Sequence, residues 1–319
     1  MQLDVVVVMD PIGSIKIAKD STFAMLLEAQ RRGHRLHYVV PGGLSMDGGR
    51  ARALAAPLEV RDDPADWFKL GSTSHREFGS GDVVLMRTDP PVDANYIHDT
   101  QILDMARLAG ANVVNDPRGL RDLNEKLAAL LFPQCCPPTL VSREAAALKA
   151  FVAEHGQAVL KPLDGMGGRS IFRAAAGEAN LNVILETLTD GGRHLAMAQR
   201  YLPEITEGDK RILLIDGVPV DYALARIPQG DEFRGNLAAG GRGEGRPLTD
   251  RDRWIAAQVG PEMVRRGMRF VGLDVIGDWL TEVNVTSPTC IRELDAEFGL
   301  NIAGLLFDAI ERGAPRPTA

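Results

Sequence analysis

The chain has 319 residues, 45% of them hydrophobic, with 43 acidic against 36 basic side chains and a formal net charge of −7. That length supports a sizeable core and more than one domain. The acidic balance excludes the basic footprint of a nucleic-acid binder, and no apolar run approaches the length of a membrane span. The N-terminus, MQLDVVVVMD, carries Asp4 and reads as a strand, not a secretory signal. Three cysteines, two of them adjacent (Cys135, Cys136), make neither a disulfide framework nor a zinc spacing. The expected location is the reducing cytoplasm, with no nucleic-acid or membrane partner.

The first third alternates strand and helix. LDVVVVM has the β-branched, apolar character of a buried parallel strand. Asp20 is placed to cap a helix over STFAMLLEAQRR that stops at Gly33. LHYVV, DVVLMR and ANVVN supply three more strands, with a helix from Tyr96 to Ala109 before the last. This predicts a doubly wound α/β domain, whose ligands collect beyond the carboxyl ends of the strands. MDPIGS (9–14) and MRTDPP (86–91) fall on that rim, where ordinary proline-stopped loops also fall.

A single helix is expected over RGLRDLNEKLAALLF (118–132). Beyond it come a helix from Ala145 to His155, the strand AVLKPL, a glycine-rich turn, the strand SIFRA, a helix from Asn182 to Leu188 and the strand HLAMAQRYL. RILLIDG and VPVDYALARI read as a hairpin. Residues 227–246 are expected to form a glycine-dense loop, Asp250–Arg266 a helix, and the tail GAPRPTA to be disordered.

Three stretches carry chemistry. KPLDGMGGRS (161–170) sets Lys161 at a strand end before Gly165, Gly167 and Gly168, so backbone N–H groups can converge on an anion; a structural hairpin has the same composition. It is neither a P-loop nor GxGxxG. ARIPQGDEFRGNLAAGGRGE (225–244) places Arg226, Arg234 and Arg242 among five glycines. Structureless loops of that length are uncommon and are often lids, and arginines suit carboxylate and phosphate. DVIGDWLTEVNVTSPT (274–289) places Asp274, Glu282 and Asn284 around a tight turn in an apolar setting. Unpaired carboxylates there are costly, and this oxygen set suits Mg²⁺. Parity makes a demand: a plain two-residue turn at Gly277–Asp278 would put Asp274 opposite Thr281, on the wrong face. A three-residue loop or a β-bulge is therefore expected.

Taken in order, a helix lysine, a strand lysine with a glycine loop, a strand leading into YLPEITEGDKR, arginines and a Glu-x-Asn strand resemble the ATP-grasp ligases. MDPI, DSTFAMLLEAQRRGH, LMRTDPP, LKPLDGMGG, RIPQGDEFRGNLAAGGRGE and LTEVNVTSPTCIRE resemble the bacterial glutathione synthetase family, from residue 1 to about residue 312. The resemblance implies an N-terminal substrate domain (1–123), a central ATP-grasp lid subdomain (124–202) and a catalytic subdomain (203–319). It implies ligation of γ-glutamylcysteine and glycine with ATP through an acyl phosphate. Lys126 and Lys161 would bind phosphates, with Gly165, Met166, Gly167 and Gly168 over the nucleotide. Gln199, Tyr201 and Leu202 would hold adenine, and Asp209 the ribose. Asp274, Glu282 and Asn284 would hold Mg²⁺, with Mn²⁺ as an alternative. Arg211 and Arg226 would meet the transferring phosphoryl group, and a flap bearing Arg234 and Arg242 would cover it. A homotetramer is implied. The rival readings are another ATP-grasp ligase with different substrates and a non-catalytic ATP-binding module.

Overall fold

Four consecutive valines leave no face for water, and β1 (Asp4–Val8) accordingly lies in the middle of a sheet with all four valines fully buried. The computed structural model describes residues 2–230, 232–237 and 240–313. The predicted tail lies outside them from Ala314 onward. Asp20 caps α1 (Ser21–Arg31), accepting from the Phe23 N–H at 2.6 Å. The strand β2 (Arg35–Val39) runs parallel to β1.

The sequence reading assigns no element to the segment between residues 40 and 81. It forms β3 (Leu44–Asp47), the long β4 (Arg50–Val60), β5 (Phe68–Leu70) and β6 (Ser74–Glu77). Next come β7 (Asp82–Met86), α2 (Ala94–Leu108) and β8 (Asn112–Val114). The strand order is β3-β4-β2-β1-β7-β8, with β5 and β6 also paired to β4. Only β2-β1-β7-β8 is parallel; β4 pairs antiparallel with every strand it touches. The doubly wound sheet is thus mixed, with an antiparallel arm on one edge.

The single helix expected over residues 118–132 is two short ones, α3 (Pro117–Asp122) and α4 (Glu125–Ala129). Asn124 makes the break. Its side chain accepts from the N–H groups of Lys126 and Leu127, both at 3.1 Å, and so starts a new helix.

The central unit contains β9 (Thr139–Ser142), α5 (Ala145–His155), β10 (Gln157–Pro162), β11 (Phe172–Ala175), α6 (Leu181–Thr189) and β12 (Ala196–Arg200). Its antiparallel order is β11-β10-β12-β9. Leu148, Phe151, Leu160, Leu181 and Leu185 form its own apolar cluster, apart from the other two.

The last sheet comprises β13 (Asp209–Ile215), β14 (Val218–Ile227), β15 (Arg242–Pro247), β16 (Phe270–Ile276) and β17 (Trp279–Asn284), with α7 (Asp250–Arg265) before β16. Its order is β15-β14-β13-β16-β17, antiparallel throughout. Residues 242–246, expected as loop, pair with the otherwise free edge of β14. One face packs on α7: Ile212, Leu214, Leu273 and Val275 join Ile255, Ala256, Val259 and Met263 in one cluster, which runs on into Val6, Val8 and Val84 of the first sheet. Finally, α8 (Ile291–Phe298) and α9 (Ile302–Glu311) pack beside α1 and the other face of that sheet. Asn115 stitches the two sheets. Its amide donates to the carbonyls of Phe270 (2.8 Å) and Val285 (2.7 Å), and its oxygen accepts from the N–H groups of Arg269 and Phe270.

Candidate functional site

Directly opposed residues of antiparallel strands share a face. Across the last sheet, Arg226 is opposite Asp209, Arg211 opposite Asp274, and Asp274 opposite Glu282. Because Asp209 and Arg211 are two apart on β13, all five lie on one face. The parity demand is met by a bulge. Ile276 pairs with Trp279 and Val275 with Leu280 across a two-residue turn, and then Asp274 pairs with Glu282. Thr281 is the extra residue, and its hydroxyl donates to the Asp274 carbonyl at 3.1 Å. The alternative three-residue loop does not form. Asn284, two residues beyond Glu282, lies opposite Gly272. Glycine is required there. A Cβ at 272 would lie 2.8 Å from Cδ of Arg211 and 2.9 Å from Cβ of Pro288, blocking the path of the arginine.

Each charge in the row is partnered. Arg211 grips Asp274 with two bonds, Nε–Oδ1 at 2.5 Å and Nη2–Oδ2 at 3.1 Å. Nη2 of Arg226 reaches Asp274 at 2.8 Å and also pairs with Asp209, while its Nε donates to the Asp209 carbonyl at 3.2 Å. Burial pushes the Asp274 carboxyl up, but Arg211 and Arg226 more than offset this and hold it below the usual range. Asp209 goes the other way. Its burial, reinforced by Asp274 and Glu282 and only partly opposed by Arg226 and Arg211, raises it to about 7. Its Oδ1 is buried with no hydrogen-bond partner among the described residues. Burial also disfavours ionised Glu282, yet Lys126 and Lys161 leave it lowered.

The two lysines reach Glu282 from separate elements. Lys161, on β10, places Nζ 3.4 Å from Oε1; Lys126, on α4, places Nζ 3.7 Å from the same oxygen. Lys126 also donates to the Gly165 carbonyl at 2.7 Å. Both are buried, as isolated surface lysines would not be.

Two cavities adjoin this row. The first, about 840 Å³ including its open mouth, has in its lining Lys126, Lys161, Gly165, Met166, Gly167, Gly168, Gln199, Tyr201, Leu202, Asp209, Arg234, Asp274 and Glu282, all expected site residues. Arg234 closes it from above: its Nη1 donates to the Gly168 carbonyl at 2.6 Å. Gly168 has φ +80°, and a Cβ there would lie 2.8 Å from Oδ1 of Asn236, so the glycine loop and the flap touch only because residue 168 is glycine. Tyr201 lies under the Arg173 guanidinium, 4.0 Å from the ring centroid. The Gln199 side chain turns to Thr139 Oγ1 at 3.1 Å.

The second cavity, about 730 Å³, is lined by Arg211, Arg226, Asn284 and residues 286–289, with Asp89 and Pro90 from the rim loop. It shares Met166, Gly167 and Asn236 with the first. Arg242 lines neither cavity. It opens β15, is 58% exposed, and pairs with Glu244 at 2.9 Å. The cysteines are buried and unpaired, and burial pushes the Cys136 thiol up to about 12, as suits bystanders. The sequence reading passed over Asn236, which touches both cavities, Arg87 in MRTDPP and Glu125 beside Lys126. Only the position of Glu125, next to a candidate lysine, could have drawn notice.

The donor set fits a hard divalent cation. Asp274 and Glu282 face each other across two strands, and Asn284 donates through Nδ2 to the Gly272 carbonyl at 3.2 Å, so its oxygen is the atom it could offer a cation. No cluster of three or more His, Cys, Asp or Glu residues with metal-holding geometry occurs among the described residues, so an amide oxygen and phosphates must complete any shell.

A cleft between a separate antiparallel unit and a charged antiparallel sheet is the ATP-grasp architecture. The ATP-grasp ligase PsnB, solved with a minimal precursor, Mg and ADP, has a TM-score of 0.60 to this chain at 18% identity, covering 97% of each chain, and so shares its fold. The chain belongs to the prokaryotic glutathione synthetase family: residues 3–121 match that family's N-terminal domain and residues 125–299 its ATP-grasp domain. The glutathione synthetase of Xanthomonas axonopodis pv. citri (strain 306) is 80% identical over 314 residues, covering 98% of this chain and 99% of that protein. The glutathione synthetase of Xylella fastidiosa (strain Temecula1) is 73% identical over 313 residues, covering 98% and 100%.

Proposed function

We infer that the chain joins γ-glutamylcysteine to glycine with ATP, forming glutathione, ADP and phosphate through an acyl phosphate. The observation that carries the reading is that two adjoining cavities share Met166, Gly167 and Asn236, the first lined by Lys126, Lys161 and Glu282 and the second by Arg211, Arg226 and Asn284. A nucleotide in the first would point its phosphates toward Lys126 and Lys161, while a carboxylate in the second would meet the two arginines. An unactivated carboxylate is a poor acyl donor, and phosphorylation supplies a leaving group. Charge that grows on the transferring phosphoryl is met by fixed cations in a dry site, where they act most strongly. The unpartnered Oδ1 of Asp209 supports its reading as an acceptor for a ribose hydroxyl. Mg²⁺, held by Asp274, Glu282 and Asn284, would neutralise phosphate charge. The flap, residues 227–242, contributes Phe233 to Asn236 to the first cavity and Asn236 and Leu237 to the second, and would keep water from the acyl phosphate.

We further propose that residues 124–202 act as the lid over residues 203–319, with residues 1–123 completing the substrate side, consistent with the separate core of the central unit. Among the described residues no helix is long and apolar enough to cross a membrane. A cytoplasmic homotetramer follows from the family resemblance, and light scattering on the purified protein tests the assembly.

The test is phosphate release from ATP with γ-glutamylcysteine and glycine, each omitted in turn, with glutathione quantified. Phosphate and glutathione should appear together only in the complete mixture. Full turnover with another acceptor and none with γ-glutamylcysteine would point to a different ATP-grasp ligase; no turnover under any condition would point to a binding module.

A further inference from the structure

The segment that follows Asn284 forms the floor of the second cavity, and one side chain holds its start. Oε1 of Glu125 accepts three hydrogen bonds, from the Val285 N–H (2.9 Å), the Thr286 N–H (3.1 Å) and the Thr286 hydroxyl (2.8 Å). The segment's carbonyls are taken from the opposite side by Arg87, which donates to Thr286 (3.4 Å) and Pro288 (2.9 Å) and is itself steadied by Thr22 (3.0 Å). An anion therefore holds the donors of this short stretch and a cation holds its acceptors, so it can slide in neither direction without stranding a charge.

Glu125 is also the residue before Lys126, in the helix that Asn124 caps. That helix packs directly on β17, which carries Glu282 and Asn284. The same turn of backbone thus presents a cation to the nucleotide side and an anion to the substrate side. Neither Glu125 nor its three donors lines the nucleotide cleft, while Glu125 and Thr286 line the second cavity.

We propose that Glu125 is a positioning residue for the ligation: it fixes segment 285–286, and with it Asn284 and the floor of the carboxylate-substrate cavity, in register with the phosphate-binding lysines. This rests on the ligase reading above, and it predicts a division of effects that a merely structural carboxylate would not produce. Burial pushes the Glu125 carboxyl up, opposed by the Thr286 N–H and hydroxyl, so the environment depends on those two donors for its balance.

The experiment compares Glu125→Gln, Thr286→Val, Thr286→Ser and the double variant Glu125→Gln/Thr286→Val with the parent enzyme. Readouts are kcat/KM for γ-glutamylcysteine per folded molecule and ADP affinity by calorimetry. Glu125→Gln should lower kcat/KM at least tenfold and leave ADP affinity within threefold. Thr286→Ser, which keeps the hydroxyl, should stay near the parent while Thr286→Val falls. The double variant should be no worse than the poorer single, because both act through one contact. Parental kcat/KM in Glu125→Gln, or strictly additive losses, overturns the proposal. Should Glu125→Gln fail to fold, the two Thr286 variants decide, and equal activity of Val and Ser overturns it. A parent that makes no glutathione would instead sink the ligase reading, while ADP binding would still report on the nucleotide cleft.

Discussion

Replacing Arg226 with lysine keeps the charge and removes the fork. In the folded protein this guanidinium meets Asp274 at 2.8 Å, pairs with the Asp209 carboxylate and donates to the Asp209 carbonyl at 3.2 Å. An ammonium on a flexible stem cannot hold all three directions. Losing a hydrogen bond to a charged group costs about 1.5–3 kcal/mol, so a drop of about 2–3 kcal/mol in unfolding free energy is expected even though the fold survives. The kinetic effect should be larger. A fixed contact to developing charge contributes on the order of 2–4 kcal/mol to the barrier, which is about 30- to 1,000-fold in turnover. Nucleotide binding should barely change, because Arg226 lines the second cavity and not the nucleotide cleft. The assay is glutathione formation at saturating substrates, normalised to the ADP-binding fraction measured by calorimetry. Turnover within threefold of the parent, or a tenfold loss of ADP affinity alongside the loss of turnover, would refute the reasoning.

Removing the flap between Gly230 and Gly241 should leave acyl-phosphate formation but expose it to water, so phosphate released per glutathione should rise above one; a ratio of one in a variant that still turns over would dismiss the shielding role. Asn124→Ala removes the cap of the helix carrying Lys126 and should cost about 0.5–2 kcal/mol in denaturant unfolding, with a raised KM for ATP; an unchanged KM would show that Lys126 is held without the cap. Asp209, raised to about 7, binds its proton more tightly folded than unfolded, so its contribution to stability falls as pH rises from about 4 to about 7 and is flat above. Unfolding free energy of Asp209→Asn against the parent should show that the parent's relative decline over this window is lost in the variant; parallel curves would mean that Asp209 is not the titrating group.

The legible parts of the sequence were those where one local rule dominated. Four valines in a row specify a buried strand, Asp20 specifies a helix start, and strand parity requires either a three-residue loop or a bulge between Asp274 and Glu282, of which the bulge forms. The antiparallel arm was not legible, because β4 reads RARALAAPLEV. Its alanines and Pro57 carry little strand signal, and what makes it a strand is pairing with β2, β3, β5 and β6. RGEGRP likewise becomes β15 only because β14 offers an open edge. In LNEK, periodicity argued for an unbroken helix, while the capping side chain of Asn124 decided otherwise. Arg87 and Glu125 act through contacts about 160 to 200 residues away in sequence, which no local pattern announces.

The pairing of every cation in the row with an internal carboxylate has a consequence for what the site lets in. A loose dianion such as inorganic phosphate can gain Lys161 and Lys126 only by stripping them from Glu282, which would leave that carboxylate bare against β17. On that account the exchange would return little to an unescorted anion. A ligand that brings its own divalent cation offers Glu282 a replacement partner in the same event, and the exchange becomes favourable. Under the proposed assignment the site would screen by company as well as by charge, favouring a triphosphate escorted by a divalent cation over an unescorted one.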